Sequence, residues 1–120
     1  MAGLGFPEKN EFGKNKVISL FDAVKDQLPN PYFSFYLRRN DELNSYVMFG
    51  GYNQDHMSSD LIWHDVIHPK YWMLKLTNIY VGDHKISFCE TYECGVIIDS
   101  GTSLLTAPSF AINEMQCIYL

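Results

Sequence analysis

The amino-acid sequence predicts a mainly β protein with two short helices. Apolar side chains recur with helical spacing in only two segments of the 120 residues. Most of the remaining chain consists of short runs of aromatic and β-branched residues that are separated by glycine, proline, asparagine or aspartate, a pattern typical of strands joined by turns. Hydrophobic residues make up 47% of the sequence and charged residues 19%, a balance that favours a folded core over disorder.

The first helix is predicted over Val17–Leu28. Its apolar residues fall at the i, i+3, i+4 and i+7 positions that form one face of a helix, whereas its charged residues lie off that face. Pro29 and Pro31 then end the helix, because proline lacks the backbone N–H that a continuing helix needs. Residues 1–16 mix glycine, proline, lysine and asparagine without periodicity and are predicted to be loop.

Strands are predicted wherever aromatic and branched residues cluster between turn residues. The predicted strands cover residues 32–37, 45–49, 61–67, 71–81 and 96–98. Gly82 and Asp83 are predicted to form a tight hairpin turn that joins residues 78–81 to residues 85–88. The second helix is predicted to open at Ala107 and Pro108, with Pro108 at the first helical position and four apolar residues on one side, Phe110, Ala111, Ile112 and Met115.

The charge balance excludes some classes of partner. Nine lysine and arginine residues against fourteen aspartate and glutamate residues give a formal charge of −5 at pH 7. A nucleic-acid partner or an anionic membrane surface needs a basic face, so neither is expected. No segment approaches the roughly 20 apolar residues of a membrane-spanning helix, and the first residues have neither the basic patch nor the apolar run of a signal peptide.

One segment carries residues suited to catalysis. The apolar run Val96–Ile98 leads directly into Asp99-Ser100-Gly101-Thr102-Ser103. We expect the strand to withdraw the Asp99 carboxylate from bulk solvent, Gly101 to bring a backbone N–H close to it, and the hydroxyl groups of Ser100 and Thr102 to hydrogen-bond it. Taken alone, the same tripeptide is also typical of an ordinary turn.

The rest of the chain resembles the pepsin-like aspartic peptidases nearly from end to end. Asp99–Thr106 followed by Ala107-Pro108 is similar to the second active-site signature of that family. Five further segments resemble family features in the same order: Gly3-Leu4-Gly5-Phe6-Pro7, the helix at Val17–Leu28, the interlobe strand at Phe33–Leu37, Met48-Phe49-Gly50-Gly51, and Tyr71-Trp72 followed by Leu74–Leu76.

The resemblance implies two β lobes with a substrate cleft between them and one catalytic aspartate from each lobe. Residues 1–57 would be the end of the N-terminal lobe with the interlobe strands, and residues 58–120 the first half of the C-terminal lobe. Asp99 would be the second-lobe catalytic residue, supported by Ser100, Gly101 and Thr102. Tyr71 and Ile97 would line the primed side of the cleft, and Ser103 would hydrogen-bond an extended polypeptide substrate. No cofactor or metal is implied.

The sequence also departs from the family pattern. No other aspartate is followed two residues later by glycine, so the first-lobe signature is absent from these 120 residues. Because the chemistry needs two carboxylates, we expect an internal fragment of an aspartic endopeptidase that is inactive by itself. The alternative from another class is a binding or scaffold domain that keeps the lobe fold without the catalytic pair. The resemblance implies a parent protein in the secretory pathway, in a lysosome or vacuole, or outside the cell.

The cysteines and aromatic residues leave alternatives open. Cys89 and Cys94 lie where the family has a small disulfide loop, although the two cysteines of the family loop are usually one residue closer in sequence. Cys117 is left without a partner. Two free thiols are one alternative, and a zinc site that joins this pair to His64 and His68 is another. Trp63 and Trp72 are expected to pack in the core rather than to form a surface for stacking ligands.

Overall fold

The computed structural model describes residues 3–6, 18–39 and 44–118. Contacts divide the chain into two units, Met1–Trp63 and His64–Leu120. The described residues form short helices and three antiparallel pairs of strands, so the prediction of a mainly β fold is confirmed. Most of the loop predicted over residues 1–16 lies outside the described residues.

The first unit begins with a helix shorter than predicted. Helix α1 spans Leu20–Val24 and is followed by a 3₁₀ turn, Lys25–Gln27. It begins late because the hydroxyl oxygen of Ser19 accepts the backbone N–H of Asp22 at 3.1 Å, an N-cap that fixes the first turn. The start of the predicted range, Val17, lies outside the described residues.

A β-hairpin forms the centre of the first unit. Strand β1, Phe33–Tyr36, pairs antiparallel with strand β2, Tyr46–Phe49. The ring of Phe33 packs edge-on against Phe21 of α1, with the ring centroids 5.0 Å apart. This contact joins the helix to the hairpin, and both predicted strands are confirmed.

The strand predicted over Leu61–Ile67 is wrong for most of its length. Only Val66 makes a bridge, with Leu74, and all the residues from Leu61 to Ile67 are exposed. No described strand lies beside residues 61–65, so their alternating pattern has no partner to pair with. Trp63 is 71% exposed, although its ring approaches Tyr32 with the centroids 5.9 Å apart, and the prediction that it packs in the core is wrong.

The second unit contains the other four strands of the described residues. Strand β3, Met73–Leu76, pairs antiparallel with strand β6, Cys94–Ile97. Strand β4, Ile79–Val81, pairs with strand β5, His84–Ile86. The predicted strand 71–81 is therefore two strands, whereas the predicted hairpin turn is confirmed: Gly82 has a φ of +60°, which glycine adopts without a steric cost.

Two helices pack near this hairpin. Helix α2, Phe88–Thr91, was not predicted; it begins where the strand predicted over residues 85–88 was expected to continue. Helix α3 spans Ser109–Gln116, with Pro108 as its N-cap rather than its first helical residue. Ala111 of α3 and Ile86 of β5 are the fully buried apolar residues of the described part. Among the described residues no helix has the length and apolar character needed to cross a membrane.

Candidate active site

The segment around Asp99 follows directly from strand β6. The backbone N–H of Ile98 donates to the carbonyl of Trp72 at 2.9 Å, which extends the β3–β6 pairing one step beyond the strands. Beyond this bond, the next residue on the β3 side is Tyr71 and the next residue on the β6 side is Asp99. The pairing therefore brings the predicted catalytic residue and one predicted substrate-binding residue to the same end of this sheet.

Two neighbours hydrogen-bond the Asp99 carboxylate, and the prediction that the Ser100 hydroxyl also does so is wrong. The backbone N–H of Gly101 donates to Oδ1 at 2.8 Å, and the Oγ1 hydroxyl of Thr102 donates to Oδ2 at 2.5 Å. The backbone closes as a turn, with the N–H of Thr102 directed to the Asp99 carbonyl at 3.4 Å. Each carboxylate oxygen thus has one donor from within the turn, which fixes the plane of the group.

These hydrogen bonds also lower the pKa of the carboxyl group. The hydroxyl of Thr102, followed by the N–H of Gly101, lowers the pKa of Asp99 below its ordinary value, and a small desolvation acts in the opposite direction. Donors that face a carboxylate favour its ionised form. An oriented, ionised carboxylate is suited to accept a proton from a bound water.

Gly101 approaches the Asp99 carboxylate closely. A Cβ atom there would lie 3.2 Å from Oδ1 of Asp99, which is tighter than ordinary van der Waals contact. A larger residue would require the carboxylate to shift by a few tenths of an ångström. The sequence prediction for Gly101 rested on this kind of approach, and the geometry agrees with it.

The expected burial of Asp99 is wrong for this chain. All five residues from Asp99 to Ser103 are exposed. The physical reason is that β6 pairs with β3 alone among the described strands, and no described element covers the turn that follows it. The hydrogen bonds of Asp99 therefore form in solvent rather than in a closed site.

The predicted substrate-binding residues are also accessible. Tyr71 and Ile97 are each 46% exposed, and Ile97 pairs with Met73 in the β3–β6 register. Ser103 lies just beyond the hydrogen-bonded turn and is exposed. Contact of these three residues with a substrate stays a prediction.

A disulfide lies at the start of the strand that leads to Asp99. Cys89 of α2 and Cys94, the first residue of β6, are joined, with their Cα atoms 5.5 Å apart. This bond removes both thiols that the zinc alternative required, and the described residues contain no group of three or more histidine, cysteine or acidic residues placed to hold a metal ion. Cys117 is a free, exposed thiol.

Sequence reasoning gave His68 a role only in the zinc alternative and gave His56 none. Nδ1 of His68 accepts the backbone N–H of Lys70 at 3.2 Å, and its ring lies 5.0 Å from that of Tyr71. His56 stacks on Tyr36 with the ring centroids 3.8 Å apart and shares a 2.8 Å hydrogen bond with the hydroxyl of Tyr46. The one available signal was the His-Pro-Lys sequence at 68–70, where a side-chain acceptor precedes an N–H by two residues.

An open concavity of about 660 Å³ lies in the first unit. Its lining is mixed polar and apolar: Tyr52, Gln54, Met57, Ser59, Asp60 and Leu61. None of the predicted site residues belongs to it.

Comparison with known proteins assigns the chain to a class. The sequence model of the family described as "Eukaryotic aspartyl protease" matches residues 1–119. The chain therefore belongs to the eukaryotic aspartyl protease family, and the resemblance to pepsin-like aspartic peptidases is confirmed.

Several curated proteins of this family are similar to the chain. The chain is 38% identical over 117 residues to "Cathepsin E" of Cavia porcellus, which covers 95% of this chain and 29% of that protein. It is 37% identical over 118 residues to "Cathepsin E" of Mus musculus, covering 95% and 28%. It is 37% identical over 116 residues to "Pepsin II-1" of Oryctolagus cuniculus, covering 95% and 29%. The chain thus spans less than a third of the length of these curated relatives.

Proposed function

We propose that this chain is part of an aspartic endopeptidase in which Asp99 is one of two catalytic carboxylates. The observation that carries the proposal is the pair of donors on Asp99, the N–H of Gly101 and the hydroxyl of Thr102, at the end of an apolar strand. The second carboxylate belongs to a part of the protein outside these 120 residues. Membership of the aspartyl protease family supports the assignment.

The proposed mechanism uses the two carboxylates as a coupled pair. One is ionised and takes a proton from a water held between them, while the other is protonated and polarises the carbonyl of the scissile peptide bond. Two adjacent carboxylates resist ionising together, so the pair titrates with separated apparent pKa values and works at acidic pH. Asp99 alone cannot perform this chemistry, and the 120-residue chain by itself is expected to be inactive.

The proposed substrate is a polypeptide bound in an extended conformation. Tyr71 and Ile97 would contact side chains on the primed side of the scissile bond, and Ser103 would hydrogen-bond the substrate backbone. Their partial exposure beside the Asp99 turn supports this role. The net charge of −5 argues against a nucleic-acid partner, because nucleic acids bind to basic surfaces.

We also propose that the chain spans the junction between two lobes. Residues 1–57 would complete the N-terminal lobe and the interlobe strands, and residues 58–120 would begin the C-terminal lobe. The boundary between the two compact units, after Trp63, supports this division, although it lies a few residues beyond residue 57. Large exposed apolar side chains, such as Leu105 at 98%, support the view that further segments cover these surfaces in the whole protein.

The proposed location of the parent protein is the secretory pathway, ending in a lysosome, a vacuole or the extracellular space. The Cys89–Cys94 disulfide supports an oxidising compartment.

The test is peptide hydrolysis at acidic pH by a longer protein that contains this segment together with both lobes. Asp99→Asn should reduce kcat at least about a thousandfold, because it removes one of the two groups that move protons. Asp83→Asn, in the turn between β4 and β5, is the matched control and should retain activity. Equal activity of the two variants would overturn the proposed role of Asp99, whereas a lack of activity in the unsubstituted two-lobed protein would favour a scaffold domain. Hydrolysis by the 120-residue chain alone, lost in Asp99→Asn, would contradict its expected inactivity.

A further inference from the structure

The loop that carries Tyr71 folds back on itself. The backbone N–H of Ile67 donates to the carbonyl of Met73 at 2.8 Å, and Val66 forms a bridge with Leu74. Residues 68–72 therefore form a closed loop whose two ends are held side by side. His68 and Tyr71 both belong to this loop.

His68 makes two contacts inside the loop. Its Nδ1 accepts the backbone N–H of Lys70 at 3.2 Å, and its ring lies against the ring of Tyr71, with the centroids 5.0 Å apart and the planes inclined at 34°. A neutral imidazole that accepts at Nδ1 carries its proton on Nε2. The same ring thus fixes the backbone of the loop and supports one face of Tyr71.

The far side of the loop is tied to the Asp99 segment. Trp72, which follows Tyr71, accepts the N–H of Ile98 at 2.9 Å, and Asp99 follows Ile98. The Tyr71 ring therefore lies against His68, one residue before the backbone pairing that leads to Asp99. A substitution of His68 should therefore alter the orientation of Tyr71 more than that of the Asp99 carboxylate.

We propose that His68 is a positioning residue for peptide binding, which sets the orientation of Tyr71 and so the preference for a bulky substrate residue on the primed side. This inference rests on the proposed function, in which Tyr71 contacts substrate. His68 does not touch the Asp99 carboxylate, so its removal should raise KM for peptides that engage Tyr71 and leave kcat nearly unchanged.

Two substitutions separate the two contacts. His68→Asn keeps a side-chain acceptor two residues before the Lys70 N–H, as in an Asx turn, but removes the ring that lies against Tyr71. His68→Phe keeps a ring against Tyr71 but removes the acceptor. His84→Phe, in the exposed first position of β5, is the matched control.

The experiment measures kcat and KM of the longer, two-lobed protein on paired peptides that differ only in a tyrosine or a glycine on the primed side. Loss of one hydrogen bond predicts that His68→Phe raises KM for the tyrosine peptide about threefold to tenfold, with no change for the glycine peptide and with kcat within about twofold. His68→Asn, which loses the ring against Tyr71, should also raise KM for the tyrosine peptide, whereas His84→Phe should leave both KM values at their wild-type level.

The outcomes distinguish this inference from the proposed function. A wild-type protein without peptidase activity would overturn the proposed function and this inference with it. An active wild-type protein in which His68→Phe and His84→Phe have the same KM ratio would overturn the inference alone. A fall in kcat that is equal for both peptides would also overturn it, since it would indicate a structural role.

Discussion

Gly50 passes so close to Pro29 that a Cβ atom at Gly50 would lie 2.9 Å from Cδ of the proline ring. The backbone φ of Gly50 is +75°, in the left-handed region that favours glycine. Its N–H donates to the carbonyl of Tyr32 at 2.7 Å, and its carbonyl accepts the side-chain amide of Asn30 at 3.1 Å. These contacts join the end of β2 to the segment between the 3₁₀ turn and β1.

Gly50→Ala should therefore loosen the first unit. The strained backbone and the clash with Pro29 together are expected to cost about 2–4 kcal/mol of local stability. Amide hydrogen exchange of β1 and β2 measures this effect. Gly51→Ala is the adjacent control, since a Cβ there would meet only the flexible Met48 side chain, at 3.2 Å from Sδ. Equal exchange rates in the two variants would contradict the prediction.

The hydroxyl of Thr102 should govern the ionisation of Asp99. Because its hydrogen bond is the larger cause of the lowered pKa, Thr102→Val should raise the pKa of Asp99 toward its ordinary value. Thr102→Ser retains a hydroxyl and should leave the pKa nearly unchanged. Carbon-detected NMR titration of the Asp99 carboxyl group measures both values. A pKa in Thr102→Val that matches the wild type would show that the backbone N–H of Gly101 is sufficient.

The same shift predicts the direction of a pH effect on stability. The pKa of Asp99 is lower in the folded chain than in the unfolded chain, so its ionisation stabilises the folded state at pH values above the unfolded pKa, about 4. That contribution should decline as the pH falls through the folded-state pKa. In Thr102→Val the acid-dependent part should shrink, which unfolding titrations between about pH 2 and 5 can measure.

The local part of the site could be predicted from the sequence, because its contacts join residues two and three positions apart. Asp99, Gly101 and Thr102 make their hydrogen bonds within one turn, and such contacts follow from residue type and spacing. The hairpin turn at Gly82 was predictable for the same reason. The mainly β class also followed from the pattern of short apolar runs.

Features that depend on distant parts of the chain could not be predicted. Residues 61–65 alternate like a strand, but a strand needs a neighbour, and sequence spacing does not indicate whether one is present. The exposure of Asp99 depends on what covers the end of β6 rather than on the apolar residues that precede it. The contact of His68 with Tyr71 required the loop to close through the pairing of Ile67 with Met73.

Glu114 should anchor α3 to the junction between β5 and α2. Its Oε1 accepts both the backbone N–H of Ser87 at 2.8 Å and the Ser87 hydroxyl at 2.9 Å. Glu114→Ala removes both bonds and should lower the free energy of unfolding by about 1–2 kcal/mol. Glu114→Gln retains an amide oxygen as acceptor and should cost less.

The exposed residue Glu93 provides the control for this experiment. Glu93→Ala removes a carboxylate from the same unit without touching Ser87 or α3 and should change the free energy of unfolding by less than about 0.5 kcal/mol. Denaturant unfolding compares the variants. If Glu114→Ala and Glu93→Ala were equally stable, the tie between α3 and Ser87 would contribute nothing measurable.

The Cys89–Cys94 disulfide should stabilise the unit that carries Asp99, because it joins α2 to the first residue of β6. Closing so short a loop is worth about 2 kcal/mol through the lost entropy of the unfolded chain. The double variant Cys89→Ser/Cys94→Ser should therefore unfold at lower denaturant concentration, and reduction of the wild type should have the same effect. Cys117→Ser alters a free, exposed thiol and should leave the midpoint unchanged. If reduction lowered the midpoint of the double variant as much as that of the wild type, the stabilisation would have to come from a source other than this disulfide.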